Sequence, residues 1–316
     1  MHQQLLLPIE LIGIVMGYLK DDKASLSACA SLSHQWRTVV QPLLFFKITL
    51  RCVKRIKRFT KSWDRLKSFH PPVQFTNALI LDCCKGSTSY GSGNVTPYDL
   101  ERVISKFPAL RFLTVKNAEL FCCPFGRQNL AGWAAPKDLE ELRLETVMWD
   151  MTDWSEKSEE HKKFTKDILS DCALVQFLNL FGAVESLYLL AVAPMFFLSE
   201  KHYTYISEPS SRSAVQAESE KLSSLSVKKL LASEKDIYSE VQPMQVTLDL
   251  LRSSHALDTL TCLEIDEYIT TSRELLEHIG KNLVHLKMTV SDPFNIDTDE
   301  KTKQVCTMSW LMFSLR

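Results

Sequence analysis

An apolar-x-x-apolar-x-apolar pattern recurs along this chain at Leu110/Leu113/Val115, Leu139/Leu142/Leu144, Val184/Leu187/Leu189, Leu222/Leu225/Val227, Leu260/Leu263/Ile265 and Leu283/Leu286/Met288, with a fainter copy at Leu79-Ile80-Leu81. The final apolar-x-apolar step is the signature of a strand with one buried face. Helical periodicity precedes several copies, over 98–107, 166–181, 244–253 and 272–280. One helix and one strand cannot bury their apolar sides alone, so the copies must stack on each other. The expected class is therefore α/β, with parallel strands inside and helices outside.

The third positions of successive copies lie 29, 45, 38, 38 and 23 residues apart. The pattern resembles a degenerate leucine-rich repeat. It departs from that family where an Asn or Cys ladder belongs, because those positions hold Ala118, Val147, Val192, Leu230, Tyr268 and Ser291. A leucine-rich-repeat-like solenoid is expected over 47–316.

The first fifty residues read differently. Pro8 suits the first turn of a helix. Leu11, Ile14, Val15, Tyr18 and Leu19 then follow the spacing of a buried helix face. Asp21-Asp22 offers an N-cap for a second helix over 23–31. A third helical stretch carries Trp36, Val39 and Val40 and is expected to end before Pro42. Ile9, Ile12 and Met16 form a second apolar stripe on the first helix, beside Leu5, Leu6 and Leu7. Three short helices make a marginal core, and surplus apolar surface calls for a covering neighbour.

Leu7-Pro8-Ile9-Glu10-Leu11, then Ile14, Leu19, Leu26, Cys29, Leu32 and Trp36, resemble the F-box. The run 42–50 that follows resembles the exit from many fungal F-boxes into a first strand. One departure is Leu32-Ser33-His34-Gln35-Trp36, where the family commonly has Val-Cys-Arg-x-Trp. The resemblance implies an adaptor-binding hook over 1–46 that engages a Skp-type adaptor and, through it, a cullin–RING ubiquitin ligase. By resemblance, the contacts fall to Leu7, Pro8, Ile9, Leu11, Ile12 and Ile14. Trp36 either joins them or completes the hook's own core. The chain would then be the non-catalytic specificity subunit that brings a target protein to ubiquitination. Two other readings stay open: a repeat scaffold with no ligase connection, whose N-terminal helices merely cap it, and an enzyme of unknown type.

Several function classes find no support. The net charge of −1 supplies no global field toward nucleic acid or an anionic membrane. The segment 51–67 holds eight basic residues and one acidic. Its Val53, Ile56, Phe59, Trp63 and Leu66 nonetheless fall at the spacing of a single inward face, so a solvated basic face is expected ahead of phosphate binding. Nine scattered cysteines without Cys-x-x-Cys suggest reduced thiols and an intracellular, cytoplasmic or nuclear protein. Cys83, Cys84, Cys122 and Cys123 lack metal-site spacing, so neither metal nor cofactor is expected. The start lacks the basic segment and cleavage site of a signal peptide, and no apolar run is long enough to span a bilayer. Nucleophile-elbow, Walker, dinucleotide and His-Glu-x-x-His motifs are absent.

Target recognition is expected in inserts that follow strands, where aromatic side chains suit an interface or pack back on the repeat edge. Trp149 and Trp154 lie in one such stretch and Tyr203 and Tyr205 in another, ahead of a Ser-rich insert, 207–221, that reads as flexible. Phe121, Phe125 and Trp133 mark a third, and 82–97, with Gly86, Gly91 and Gly93, reads as a flexible loop. The strongly apolar 308–315 folds as a lid or marks a shortened end.

Overall fold

Each of the first three helices is set by a local signal. The computed structural model describes residues 8–63, 72–84, 93–122, 135–150, 172–195, 220, 222, 224–233, 243–265, 273–290 and 304–309. Helix α1 (Ile9–Tyr18) starts on Pro8, whose carbonyl accepts the N–H groups of Leu11 and Ile12 at 3.1 Å. Helix α2 (Lys23–Leu32) is capped by Asp22, which accepts from the N–H groups of Ala24 and Ser25 and from the Ser25 hydroxyl at 2.6 Å. The hydrogen bond from the Ser25 side chain leads in holding the Asp22 carboxyl below its ordinary range. Helix α3 (His34–Leu44) opens on Ser33, whose hydroxyl accepts the Trp36 N–H. It continues through Pro42 rather than ending before it. Pro42 sits in the last turn, where it costs the helix one N–H donor, and the Phe45 N–H still closes the turn on Gln41.

These helices share a small core of Ile12, Met16, Leu26 and Val40, bordered by Leu19, Cys29, Trp36, Val39 and Leu43. Leu19 packs on the core and Ile9 is exposed, as expected, but the other residues of the two α1 stripes are exchanged relative to the sequence expectation. Ile12 and Met16 are buried, while Leu11, Ile14, Val15 and Tyr18 face out. The helix is apolar on nearly every side, so periodicity locates stripes without saying which one meets α2 and α3.

The rest of the chain alternates strands with short helices: β1 (Lys47–Arg51), α4 (Val53–Trp63), β2 (Ala78–Asp82), β3 (Gly93–Val95), α5 (Pro97–Ile104), β4 (Phe112–Leu120) and β5 (Lys137–Trp149). Then follow α6 (Ala173–Leu178), β6 (Phe181–Pro194), β7 (Ser226–Ser233), α7 (Pro243–Ser253), β8 (Cys262–Ile265), α8 (Arg273–Ile279), β9 (His285–Val290) and β10 (Gln304–Ser309). The strands assemble in chain order into one open sheet, β1-β2-β4-β5-β6-β7-β8-β9-β10, with β3 pairing β4 beyond the end of β2. Strands β1 to β9 pair in parallel, and β10 returns antiparallel on β9. The fold is an α/β sheet with one continuous core beneath it.

That core is the predicted apolar lattice in physical form. Leu79, Leu113, Leu142, Leu187, Leu230, Leu263 and Leu286 fall in register across the sheet and are buried against Ile56, Leu100, Val103, Phe177, Leu248 and Leu275 of the helices. The fourth copy shifts: β7 enters the lattice with Val227, Leu230 and Ala232, not with Leu222, Leu225 and Val227. Leu222 and Leu225 are buried as well, and burial alone does not distinguish the strand from its approach.

A bend crosses the sheet at one register position. Cys52, Asn117, Thr146 and Ala191 all have positive φ, between 52° and 63°. Each follows a residue of one aligned row, Arg51, Lys116, Glu145 and Leu190. Cys52 turns the chain from β1 into α4, whereas in β4, β5 and β6 the left-handed residue lies within the strand and advances the alternation by one, as a β-bulge does. Inward positions therefore run Leu142, Leu144, then Val147 and Trp149. The same shift places Ala118 and Leu120 inside, and the described positions expected to carry an Asn ladder, Ala118, Val147, Val192 and Leu230, are buried apolar residues, while Tyr268 and Ser291 lie outside the described residues.

Of the stretch 82–97, residues 85–92 lie outside the described residues, and 93–97 hold regular structure where a loop was expected. Gly93 opens β3, and Thr96 caps α5 by a reciprocal hydrogen-bond pair with Asp99. A Cβ at Gly93 would collide with the carbonyl oxygen of Cys83 and press on Val53, so only glycine fits there.

Candidate functional site

The N-terminal unit is bolted to the sheet through its last residues. Phe45 and Phe46 offer their carbonyls to the Thr76 hydroxyl (2.9 Å) and to the N–H groups of Asn77 and Ala78 (3.0 Å each). The Lys23 ammonium donates to the carbonyl of Lys47 at 3.1 Å. Helices α1 to α3 thus hold a fixed place beside β1, with α1 turned outward.

Across α1 runs an exposed apolar strip. Leu11 is 46 % exposed, Ile14 58 %, Val15 49 % and Tyr18 87 %, spaced three and four apart along one side. Pro8 and Ile9 extend it at the N-terminal end, and Leu32, at the end of α2, is exposed as well. Of the residues to which the F-box resemblance gives adaptor contacts, Pro8, Ile9, Leu11 and Ile14 lie on the surface. Ile12 is 1 % exposed and belongs to the unit's interior, which removes it from any contact set. Trp36 packs half-buried against that interior. Leu7 lies outside the described residues.

Trp149 corrects the expectation for target contacts. It was expected in an insert and instead ends β5, fully buried, with its indole N–H donated to the Thr247 hydroxyl of α7 at 3.3 Å. That hydroxyl in turn donates to the Val192 carbonyl at 3.4 Å. The bend at Thr146 is the cause, since without it the alternation would point position 149 outward. Trp154, Tyr203, Tyr205, Phe125 and Trp133, the Ser-rich insert and 310–316 lie outside the described residues.

The opposite face of the sheet is a second surface. Helices α4 to α8 pack on one side, and the other shows Thr114, Lys116, Arg143, Glu145, Tyr188, Glu264, His285 and Lys287. Cross-strand pairs organise it. Glu145 accepts from both Lys116 and Arg143, Arg143 stacks over the Tyr188 ring, and Lys287 reaches Glu264 at 3.2 Å. Burial works to raise the Glu145 carboxyl, but the bonds from Lys116 and Arg143 outweigh it and hold the group below its usual range. This face reads as a patterned polar surface with fixed charges.

The remaining groups have structural roles. Helix α4 turns Ile56 inward, stacks Phe59 on Phe107 at 5.6 Å and leaves Lys54, Arg55, Arg58 and Lys61 outward, as a solvated basic face should. Lys57 on the same face reaches Asp99 at 3.2 Å. An open groove of about 370 Å³ near Glu101 and Lys137 holds two shifted groups. Burial raises Glu101 and lowers Lys137, whose ammonium donates to the carbonyls of Phe107 and Pro108 in the turn after α5. Burial, with Asp82 and Cys84 adding to it, pushes the Cys83 thiol up to about 12, so it holds no thiolate near neutrality. No disulfide joins Cys29, Cys52, Cys83, Cys84, Cys122, Cys172 or Cys262. Cys83, Cys84 and Cys122 do not converge among the described residues, and Cys123 lies outside them. Among the described residues no helix is long and apolar enough to cross a membrane.

Comparison with protein-family models finds none that matches this chain. A search of curated proteins likewise returns no match.

Proposed function

We propose that this chain is the substrate-recognition subunit of a Skp–cullin–F-box ubiquitin ligase, with residues 1–46 as the adaptor-binding hook and 47–316 as a leucine-rich-repeat-like solenoid that holds the target. The observation that carries the reading is the strip Pro8, Leu11, Ile14, Val15 and Tyr18, left exposed although α1 to α3 already have a closed core of their own. A helical cap serving only its own chain has no use for a second apolar side facing water. An adaptor protein would cover that side and keep the apolar centre of the interface dry.

The mechanism is positional. The hook is held to the start of β2 by the Phe45 and Phe46 carbonyls, so a target on the sheet or its inserts keeps a set distance from the adaptor. That raises the target's effective concentration at the ubiquitin-charged enzyme, while the transfer chemistry stays on other subunits.

Co-expression with a Skp-type adaptor tests the proposal. The full chain is expected to co-purify with the adaptor in equal amounts. Leu11→Asp with Ile14→Asp removes that association and leaves the thermal unfolding of the sheet unchanged, since exposed substitutions shift stability by only about 0.5 kcal/mol. A wild-type chain that elutes alone, or a variant that still co-purifies, overturns the reading in favour of a repeat scaffold without a ligase.

A further inference from the structure

We propose that Cys262, Glu264 and His285 bind a single zinc-class divalent cation on the open face of the sheet. The Cys262 sulfur, a Glu264 carboxylate oxygen and a His285 ring nitrogen all lie within 4.8 Å of one another, each residue half-buried. No other group of three such ligands converges among the described residues.

The backbone makes this juxtaposition durable. Cys262 and His285 are direct register partners on β8 and β9, and Glu264 pairs with Lys287 one step along the same face. Leu263, Ile265 and Leu286 point into the core, which fixes their neighbours Cys262, Glu264 and His285 on the outer side. Parallel pairing to β7 through Lys229 and Leu231 holds β8 from its other edge. Ligand atoms around a tetrahedral zinc stand about 3.5 Å apart, given metal–ligand bonds of roughly 2.0–2.3 Å. Side-chain rotation covers that difference without moving a strand.

The donor set selects the metal. A thiolate, an imidazole and a carboxylate together suit zinc, whereas magnesium and calcium prefer oxygen alone. Three protein ligands leave a fourth position toward solvent, where water completes the tetrahedron. Lys287 now holds Glu264 at 3.2 Å. That ion pair accounts for Glu264 but gives no role to a thiol and an imidazole set side by side. Lys287 is therefore a competitor for the carboxylate, displaced when the cation enters, and it limits affinity.

The test uses the full reduced chain, stripped of metal and titrated with zinc ion against a chromophoric chelator, then with cobalt ion as a spectroscopic reporter. One equivalent of zinc is expected, and the cobalt form should show a thiolate charge-transfer band with tetrahedral visible bands. Cys262→Ser should remove the charge-transfer band. His285→Ala should weaken binding at least as much as losing an outer-sphere partner does, about 10- to 100-fold. Lys287→Met should tighten binding, and circular dichroism should confirm that each variant is folded. Failure of the folded wild-type chain to bind one equivalent overturns the proposal. So does binding that is unchanged in both Cys262→Ser and His285→Ala, which would place the metal elsewhere, and so does Lys287→Met binding no tighter than wild type.

Discussion

Trp149 sits three residues beyond Thr146 at the end of β5, fully enclosed, with its one polar atom given to Thr247. A large ring whose N–H is matched belongs to the core and contributes most of its energy there. Trp149→Ala is expected to cost about 3–5 kcal/mol in denaturant unfolding, because it removes the ring and leaves a cavity between β5 and α7. Trp149→Phe keeps most of the packing and loses one hydrogen bond, so its cost should be far smaller. Comparable, small effects for both variants would mean the ring is not part of the core. Leu11 and Ile14 are the opposite case: apolar, outward and free to change without a folding penalty.

At the scale of elements, the column Cys52, Asn117, Thr146 and Ala191 explains both what the sequence conveyed and what it hid. The apolar triplets locate β4, β5, β6, β8 and β9 correctly, because in β4 to β6 each triplet lies before the bend, and β8 and β9 carry no such left-handed residue among the described residues, so alternation is undisturbed. Trp149 was misassigned because no residue at the bend announces it: Asn117 is a natural left-handed residue, but Thr146 and Ala191 are not. Strand β7 slipped because Leu222 and Leu225 carry the same apolar spacing as the true Val227, Leu230 and Ala232. Helix α1 was inverted for the same kind of reason, since Ile12 and Leu11 are equally apolar and only packing with Leu26 and Val40 decides which goes inside. Cys262, Glu264 and His285 were invisible as a group, because parallel pairing brings together residues far apart in the chain. A β-branched residue with positive φ carries strain that asparagine tolerates better. Thr146→Asn should therefore stabilise the chain by about 0.5–1 kcal/mol in equilibrium unfolding, with Thr146→Val giving no gain.

At the scale of the whole molecule, a rigid open sheet carries a small helical unit at one end and closes with the antiparallel β10 at the other. The helical unit has the one described surface that its own chain leaves apolar without need, and the ligase reading depends on another protein covering it. Amide hydrogen exchange of the full chain, with and without a Skp-type adaptor, reads that covering directly. The account predicts added protection concentrated over α1 and the end of α2, around residues 9–18 and 32, with the sheet strands unaltered. Unchanged exchange over α1 in the presence of saturating adaptor, or protection confined to the sheet face, would contradict it.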